Sequence, residues 1–485
     1  MSVRLLRSAA LILPAIAFGC GGSSSSEEPV FDGAVDDAGA ETSAADAPPG
    51  PWRDKLGVMG IGSAAGTGVL GPVYPTGVWA SADQVVVVGI AKAAFTWGGT
   101  TYPSGGFVLA VDASTGALRW HRQVGESVFG ITAMGDDLAI VGAFSKSISL
   151  PTAGAPIALS SAGRTDGVVA VLTKAGEFRW ARRYGSPGFD QGFAVTSDGD
   201  AVVVAGAITG TADLGEGCGT LQAQVGGDDG DGHPTGIYDA VVLRYAADGG
   251  CPWGAAIGAP IADDMGFGVT AIDGALFVSG AAARPLLLRT TAGGTDVNLG
   301  GAATTRPAPF LLRLDPKAKR APSTWFVTEA SPGGRGRAVA HRDSELLWAF
   351  TTASTAKLTH DALGSTDLPP GGHVVTLRDD ALVRNVDLGP KILDVGPIAI
   401  GDGFALVAAT EADPGGVVFA KLTSTSTSVA RHLAGGATGM PFATAAYGSV
   451  GWIAGYSGAP ITLGDPPIKI DPGPQGGFFL AGLAP

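Results

Sequence analysis

The sequence is poor in charged and sulfur-containing residues. Only 15% of its 485 residues are charged, and it contains three cysteines and six histidines. No histidine pair shows the HExxH or His-x-His spacing of a metal site; the six are His121, His233, His341, His360, His373 and His432. The 31 basic residues are dispersed and are outnumbered by 44 acidic ones, for a net charge of −13. This balance argues against binding to nucleic acid or to an anionic lipid surface.

The chain also lacks the local motifs of common catalytic and cofactor sites. It has no G-x-S-x-G nucleophile elbow in a strand–turn–helix context. Its 77 glycines form no phosphate-binding loop, because such a loop needs a following helix. We therefore assign no catalytic residue and no cofactor. A carboxylate pair built from distant loops stays open as an alternative.

Residues 1–20 have the pattern of an export signal. Arg4 and Arg7 precede an apolar segment, 9–18, that is too short for a stable membrane span. The tetrapeptide that ends at Cys20 resembles a bacterial lipobox, which implies lipidation of that cysteine. An ordinary secretion signal with an incidental cysteine is the alternative. No aspartate follows Cys20, so the resemblance to bacterial lipoproteins implies the outer membrane, on its periplasmic or its surface side.

Residues 21–50 are predicted to be a disordered linker. They consist of Ser, Ala, Pro, Gly and acidic residues, with no lysine or arginine. Such a segment buries too little apolar area to offset its ordering entropy. We expect an extended, self-repelling tether between the membrane and a folded domain.

Residues 51–485 contain seven copies of one repeat and are predicted to form a single all-β domain. Each copy has an apolar strand that ends in Gly89, Gly142, Gly206, Gly280, Phe350, Ala409 or Gly455. A second apolar strand follows each of them, at 107–111, 168–172, 240–243, 310–314, 374–377, 417–422 and 478–480. Four short strands in each copy are typical of a β-propeller blade.

Two further features refine this fold. Trp120, Trp180, Trp253 and Trp325 open the last strand of the first four repeats, where they are expected to fill the gap between blades. The last repeat ends without an outer strand, and segment 51–60 precedes the first repeat. We therefore predict a seven-bladed β-propeller that this N-terminal segment closes without free sheet edges.

The repeats resemble those of the seven-bladed propellers found in secreted and lipidated proteins of myxobacteria. The shared pattern is a strand, a glycine, a long loop, a strand opened by Asp, a turn glycine and a Trp, and it covers residues 52–325. The segment from Asp112 to Trp120 is also similar to the repeat of PQQ-type propellers. That resemblance implies a quinone-dependent enzyme or an outer-membrane assembly lipoprotein as the alternative.

Two local sites remain to be assigned. Cys218 and Cys251 form the even pair left when Cys20 is lipidated, and export favours a disulfide between them over two free thiols. Asp229 and Asp231 lie in one acid-rich loop with part of the spacing of a calcium site. His233 and the missing downstream Glu break that pattern, which favours a solvated insertion.

The function predicted from these features is binding or scaffolding in the cell envelope. Long loops join the second and third strands of the first five repeats, at 90–106, 143–167, 207–237, 281–309 and 351–373. Long loops on a rigid scaffold are where binding surfaces are usually built. We expect an unidentified protein, peptide or glycan to dock on this long-loop face, with the third and fourth repeats contributing most. A loop-built enzyme is the alternative, favoured if charged residues converge on the axial mouth.

Overall fold

The computed structural model describes residues 56–59, 73–97, 100–215, 217–223, 238–259, 263–291, 296–300, 304–317, 320–329, 334–360, 364–412, 416–433, 439–457, 461–463, 468–470 and 477–483. They lie in one compact unit, Pro49–Pro485. All regular structure in these ranges is β, as predicted, and none of them contains a helix that could span a membrane. Cys20, the export signal, the linker, Asp229 and Asp231 fall outside the described residues.

The strands follow the predicted repeats. A short strand, β1 (Leu56–Met59), comes first. The first repeat contains β2 (Val73–Ala80), β3 (Gln84–Ala91), β4 (Phe95–Trp97), β5 (Thr100–Tyr102), β6 (Gly105–Asp112) and β7 (Leu118–Gln123). The second contains β8 (Ser127–Met134), β9 (Asp137–Phe144), β10 (Ser147–Leu150), β11 (Ile157–Ser160), β12 (Asp166–Thr173) and β13 (Phe178–Tyr184).

The third repeat contains β14 (Gln191–Asp198), β15 (Ala201–Ile208), β16 (Thr211–Asp213), β17 (Thr220–Gln222), β18 (Asp239–Tyr245) and β19 (Trp253–Gly258). The fourth contains β20 (Met265–Ile272), β21 (Ala275–Arg284), β22 (Leu287–Thr290), β23 (Val297–Asn298), β24 (Thr304–Leu314) and β25 (Ser323–Glu329). The fifth contains β26 (Gly336–Arg342), β27 (Glu345–Thr352), β28 (Ala356–His360), β29 (Gly364–Leu368), β30 (Gly371–Arg378) and β31 (Ala381–Gly389).

The last two repeats complete the chain. The sixth contains β32 (Ile392–Gly401), β33 (Phe404–Glu411), β34 (Gly416–Leu422) and β35 (Thr427–Leu433). The seventh contains β36 (Gly439–Tyr447), β37 (Val450–Ser457), β38 (Ile461–Leu463), β39 (Ile468–Ile470) and β40 (Gly477–Leu483). Every second and third strand predicted from the sequence lies within a strand of the structure.

Each repeat builds one antiparallel sheet, numbered here from sheet 1 to sheet 7 after its repeat. Sheets 1, 2, 5, 6 and 7 have four strands in meander order. Four strands were expected in every sheet, but sheets 3 and 4 have six. The sheets are arranged as a β-propeller, with the first strand of each repeat innermost and the fourth outermost. The all-β propeller prediction is therefore confirmed.

The segment before the first repeat supplies the outer strand of sheet 7. Strand β1 pairs antiparallel with β40, from Leu56 opposite Leu483 to Met59 opposite Leu480. This pairing covers the edge of β40 that the sequence leaves without an outer strand.

The long loops form β-hairpins. Strands β22 and β23 add to β19 of the preceding sheet, and β28 and β29 add to β25 in the same way. The hairpin β4–β5 places Phe95 and Tyr102 in the buried cluster that contains Leu480. Much of the described part of these loops therefore belongs to the packed structure.

The tryptophans fill the gaps between sheets, as expected. Nε1 of Trp120 donates to the carbonyl of Lys174 at 2.9 Å, in the turn of the next sheet. Trp180 donates to the carbonyl of Ala247 at 2.8 Å in the same manner. The turn glycine Gly176 has φ of +84°, and a Cβ there would lie 2.7 Å from the Trp120 ring. Glycine thus serves both the turn conformation and the close packing.

Candidate functional site: an axial collar

Each innermost strand is bulged near its start. In six of the seven strands one residue loses its partner in the ladder at the same place: Thr76, Phe129, Phe193, Phe267, Arg337 and Phe442. The register of β32 shifts twice, between Ile392 and Asp394 and between Val395 and Ile398. A bulge re-aims the side chain of the extra residue. The innermost strands are thus all irregular near their start.

Glycines end several of the second strands, opposite these bulges. Gly142, Gly206 and Gly280 lie opposite the residue before the bulge. A Cβ on Gly142 would lie 2.1 Å from the carbonyl oxygen of Ser127, and one on Gly280 would lie 2.0 Å from that of Met265. Only glycine fits at these positions, whereas Phe350 and Ala409 take the equivalent place in sheets 5 and 6.

The rings of three bulged phenylalanines, Phe129, Phe193 and Phe267, touch in sequence from sheet 2 to sheet 4. The ring centroids of Phe129 and Phe193 are 5.4 Å apart, and those of Phe193 and Phe267 are 5.5 Å apart. All three side chains remain partly exposed. Aromatic pairs at this separation are mutually stabilising.

An ion pair continues this row into the next two sheets. The guanidinium carbon of Arg337 lies 5.1 Å from the centroid of the Phe267 ring. The same guanidinium donates twice to Asp394, at 2.9 and 2.7 Å. We call Phe129, Phe193, Phe267, Arg337 and Asp394 the axial collar. Its single cation is neutralised by its single anion, so the collar is mainly an apolar and aromatic surface.

Further contacts join other pairs of neighbouring sheets near the collar. Thr76 donates through Oγ1 to the carbonyl of Val128 at 2.5 Å, and Thr444 donates to that of Pro397 at 2.9 Å. The rings of Tyr74 and Tyr456 lie 5.2 Å apart between sheets 1 and 7. Burial, and then the nearby Tyr456, raise the pKa of Tyr74, so its hydroxyl stays neutral and can hydrogen-bond.

The collar opens toward the long-loop face. Phe129, Phe193 and Phe267 are each the third residue of their strand. An innermost strand begins on the face where the second strand ends and its long loop starts. A ligand that approaches from the long-loop face would therefore meet the aromatic row first.

Buried carboxylates form a second group, which the sequence did not single out. Asp166 and Asp239 are fully buried, and each accepts a hydrogen bond from an arginine, Arg183 at 2.8 Å and Arg289 at 2.9 Å. Oδ2 of Asp166 also accepts from the nearby backbone N–H of Ala162 at 2.8 Å. The two arginines also pair with Asp213 and Asp296, respectively. In the sequence, these carboxylates are marked only by the Asp that recurs at the start of the third strand.

Two more buried carboxylates, Asp190 and Asp264, connect the segment that follows an outer strand with the sheet of the next repeat. Asp190 accepts from the backbone N–H groups of Ser186 and Thr209, at 2.6 and 2.7 Å. Asp264 accepts in the same way from Ala259 and Ala283, at 2.5 and 2.7 Å. Burial raises the pKa of Asp190 to about 7 and that of Asp264 to about 8. Their donors are backbone groups deep in the fold, which indicates a structural role.

The described histidines are dispersed, as their spacing predicted. Burial, and then Arg122, lower the pKa of His121 to about 4, and its ring packs on Tyr102 at 4.2 Å. His360 bonds Ser323, and His373 bonds the carbonyl of Pro369, each at 2.9 Å. Within the described ranges, no three His, Cys, Asp or Glu side chains gather as metal ligands would.

Among the sequence-predicted site residues, the cysteines are brought together. Cys218 and Cys251 form a disulfide with Cα atoms 4.8 Å apart, which confirms the predicted bridge. It ties the chain after β16 to the turn before β19. The structure does not address the calcium-like Asp229 and Asp231 or the lipidated Cys20.

Comparison with known proteins gives structural likeness only. No family model and no curated protein matches the chain. A mutant apocarotenoid oxygenase from Synechocystis matches with 10% identity and a TM-score of 0.34, over 70% of this chain and 74% of that one. Apo AztD from Citrobacter koseri matches with 12% identity and a TM-score of 0.27, over 72% and 94%. The acylaminoacyl peptidase of Pyrococcus horikoshii matches with 9% identity and a TM-score of 0.30, over 79% and 57%. Likeness this weak assigns no function.

Proposed function

We propose that this chain is a cell-envelope binding protein whose propeller presents the axial collar to a protein, peptide or glycan ligand. The row Phe129–Phe193–Phe267 is the observation that carries the proposal. Three partly exposed aromatic rings at the mouth of an axis offer stacking surface at low conformational cost. Ligand sites are commonly apolar with a few placed polar groups, and the Arg337–Asp394 pair supplies those groups.

The scaffold of this proposal is a closed ring of seven blades of the myxobacterial type. Contacts between innermost strands of successive sheets, including β2 with β36, support the ring. The pairing of β1 with β40 supports its closure by the N-terminal segment.

The collar favours binding over the loop-built enzyme. The criterion from the sequence was convergence of several charged residues at the axial mouth. The collar has one arginine and one aspartate, which neutralise each other, beside three phenylalanines. A polypeptide segment with an apolar side chain suits this surface best, since the rings offer no hydrogen bonds to sugar hydroxyls.

A screen followed by collar variants tests this function. The full-length protein is screened against displayed peptides and a glycan array, and the hits are measured again with Phe193→Ala. We expect affinity to fall at least about tenfold, the value of one stacking contact of 1.4 kcal/mol. Tyr447→Ala, at a half-exposed residue away from the collar, is the matched control. Hits that bind Phe193→Ala as tightly as the wild type would move the site away from the collar.

Membrane attachment through Cys20 completes the proposal. It rests on the apolar segment 9–18, on Gly19 and on the flexible residues that follow. We expect the wild-type protein in the outer-membrane fraction and Cys20→Ala in the soluble fraction. Intact mass spectrometry that finds no acyl chains on Cys20 would make the protein secreted instead.

A further inference from the structure

One buried arginine lacks a carboxylate partner in the described part of the chain. Arg284, the last residue of β21, is 5% exposed and is the only buried arginine or lysine among the described residues. Its guanidinium makes one hydrogen bond to them, from Nη1 to Oγ1 of Thr328 at 3.0 Å, and its Nε is buried with no partner there. Burial lowers the pKa of Arg284, because the charged form loses hydration. A buried charge without a counter-charge is costly, which makes this residue a candidate binding group.

Other arginines of the propeller show how such a charge is usually held. Arg289, Arg337 and Arg342 are more exposed than Arg284. Each nevertheless donates to a carboxylate, at 2.9, 2.7 and 2.7 Å, respectively. Arg284 therefore departs from the rule that the rest of this fold follows, since the most deeply buried guanidinium is the one without an ion pair in the described residues.

Two carboxylates lie close to Arg284 in the chain or in the sheet, and both bond backbone groups instead. Oδ1 of Asp264 accepts from the N–H of Ala283, the residue before Arg284, at 2.7 Å. Glu329 follows Thr328 in β25 and accepts from two backbone N–H groups at 3.1 and 3.0 Å. Successive residues of a strand point to opposite faces, so Glu329 lies on the face of β25 away from Thr328. Neither carboxylate is placed to neutralise the guanidinium.

Phe326 and Thr328 fix the orientation of the guanidinium. Its central carbon lies 5.3 Å from the centroid of the Phe326 ring, and Thr328 accepts from Nη1. Both residues lie on the face of β25 that packs against sheet 3, because Phe326 shares a buried cluster with Ile257 of β19. The remaining edge, formed by Nε and Nη2, makes no hydrogen bond to a described residue. Such an edge matches a group with two coplanar oxygens.

The surroundings of Arg284 favour a ligand with one negative charge. Thr328 is exposed, so the site can be reached from solvent beside this residue. Lys357 lies opposite Thr328 in the ladder, but its side chain is 63% exposed and lies 3.8 Å from Asp367. Arg284 thus offers one unbalanced buried positive charge. A dianion would leave a second charge to be buried, in a protein whose net charge of −13 repels it.

We propose that Arg284 binds the carboxylate group of a small organic acid. The two carboxylate oxygens accept from Nε and Nη2, while Phe326 and Thr328 hold the guanidinium in place. The organic part of the acid extends past Thr328 toward solvent. Bidentate arginine–carboxylate pairs are among the strong charged hydrogen bonds. Arg284 does not belong to the axial collar, so this site adds a small-molecule ligand to the function proposed above.

Acetate tests the site on the full-length protein. The melting temperature is measured in millimolar acetate, phosphate and chloride at equal ionic strength. We expect acetate to raise it above the value in chloride, because a ligand that binds only the folded state stabilises that state, and phosphate to raise it less. No difference between acetate and chloride would overturn the site. A larger rise in phosphate than in acetate would overturn the choice of a carboxylate.

Matched variants locate the contact. Arg284→Met keeps the length of the side chain without its charge, so acetate affinity should fall at least tenfold, and the variant should be at least as stable as the wild type in chloride. Thr328→Val, at an exposed position, frees the guanidinium and should weaken acetate binding at least threefold. Lys357→Met removes a neighbouring exposed charge and should alter it less than twofold. Equal loss in Arg284→Met and Lys357→Met would show a general effect of surface charge and overturn the assignment.

Nuclear magnetic resonance identifies the atom and the source of the carboxylate. Acetate should shift the Nε–H resonance of Arg284, which is assigned by its absence from Arg284→Met, and the shift should persist in Phe193→Ala. An Nε–H resonance that acetate does not move would overturn the proposed geometry. A shift caused only by a peptide with a free C-terminus, and abolished when that terminus is amidated, would make a polypeptide end the occupant and overturn the small acid.

Discussion

The first two sheets and the fifth contact the turn of the next sheet through different side chains. Trp120 and Trp180 each donate an indole N–H to a turn carbonyl of the next sheet. In sheet 5, Nη1 of Arg384 donates to the turn carbonyls of Thr423 and Ser426 at 3.2 and 3.4 Å. The tryptophan also fills the gap with a large apolar ring, whereas the arginine mainly supplies donors.

This difference explains why the repeat signature fades while the fold continues. In these three sheets the outer strand donates a hydrogen bond to a turn carbonyl of the next sheet. Indole and guanidinium groups both provide such a donor. The sequence pattern is therefore clear through Trp325 and weak afterwards, although the strand order and register persist to β40.

The largest effect is expected where the chain closes on itself. Deletion of 51–60 removes β1 and exposes the edge of β40, which lies in the half that lacks the outer-strand tryptophans. We expect a loss of about 5 kcal/mol or more, the range of severe single defects, with aggregation at the free edge. Calorimetry of the deletion variant measures it. Deletion of 21–50 is the control and should leave the melting temperature unchanged. A 51–60 deletion that melts like the full chain would contradict the closure.

Replacing Trp180 and Arg384 compares the two kinds of contact directly. Trp180 is 8% exposed, so Trp180→Ala should cost about 3–5 kcal/mol for a buried aromatic. Arg384→Ala removes charged hydrogen bonds with little buried area, and should cost about 1.5–3 kcal/mol. Urea denaturation of both variants gives the ranking. Equal losses would show that the donor, rather than the ring, carries the contact.

The sequence predicted the skeleton of the fold because apolar strands and turn glycines are local signals. Gly142 and Gly206 marked the second strands, and the deficit after β40 marked the closing segment. Bulges and the hairpins added to outer strands were not predicted, since they depend on contacts between repeats. The collar did have a signal in retrospect. Phe193 and Phe267 each follow a glycine at the start of a first strand, but alignment to the second strands was needed to see it.

The buried charges were missed for a related reason. Asp166 and Asp239 start strands, where an Asp usually bonds nearby backbone groups, and Asp166 does accept from Ala162. Their arginine partners lie 17 and 50 residues away in the chain. Such arginines donate hydrogen bonds to the buried carboxylates only after the sheets have packed. No local sequence pattern indicates these pairs.

The disulfide concerns the first half of the molecule alone. It closes a loop of 33 residues between Cys218 and Cys251, and should contribute about 2–4 kcal/mol. The double variant Cys218→Ser with Cys251→Ser should have a lower melting temperature, by the amount that corresponds to this free energy. Its melting temperature should not change when reductant is added. The wild type under reductant serves as the comparison. An unchanged melting temperature in the double variant would mean that sheets 2 to 4 hold this region without the bridge.

The smallest effect is a pH dependence that should also come from the first half. Asp190 and Asp264 have pKa values of about 7 and about 8 in the folded chain, against an ordinary value near 4 for Asp. The folded state therefore holds protons that the unfolded state has already released. Their contribution to stability is fully present below about pH 4, and it is lost as the pH rises toward 7 and 8.

Between pH 5 and 7 each of these two carboxylates should lower the free energy of unfolding by about 1.4 kcal/mol for each pH unit, measured by urea titration at constant ionic strength. His121, whose pKa burial lowers to about 4 in the folded chain, acts in the opposite direction below about pH 6.5, so the comparison between variants isolates the carboxylates. Asp264→Asn removes one of the two titrating groups. Its amide oxygen can still accept one backbone N–H, although its amide nitrogen faces the other, so the variant should be less stable and show a shallower pH slope. Asp387→Asn, an exposed carboxylate in sheet 5, should keep the slope of the wild type. A slope that is the same in all three proteins would show that the carboxylates beside sheets 3 and 4 are ionised when folded, because the hydrogen bonds from Ala259 and Ala283 then outweigh burial.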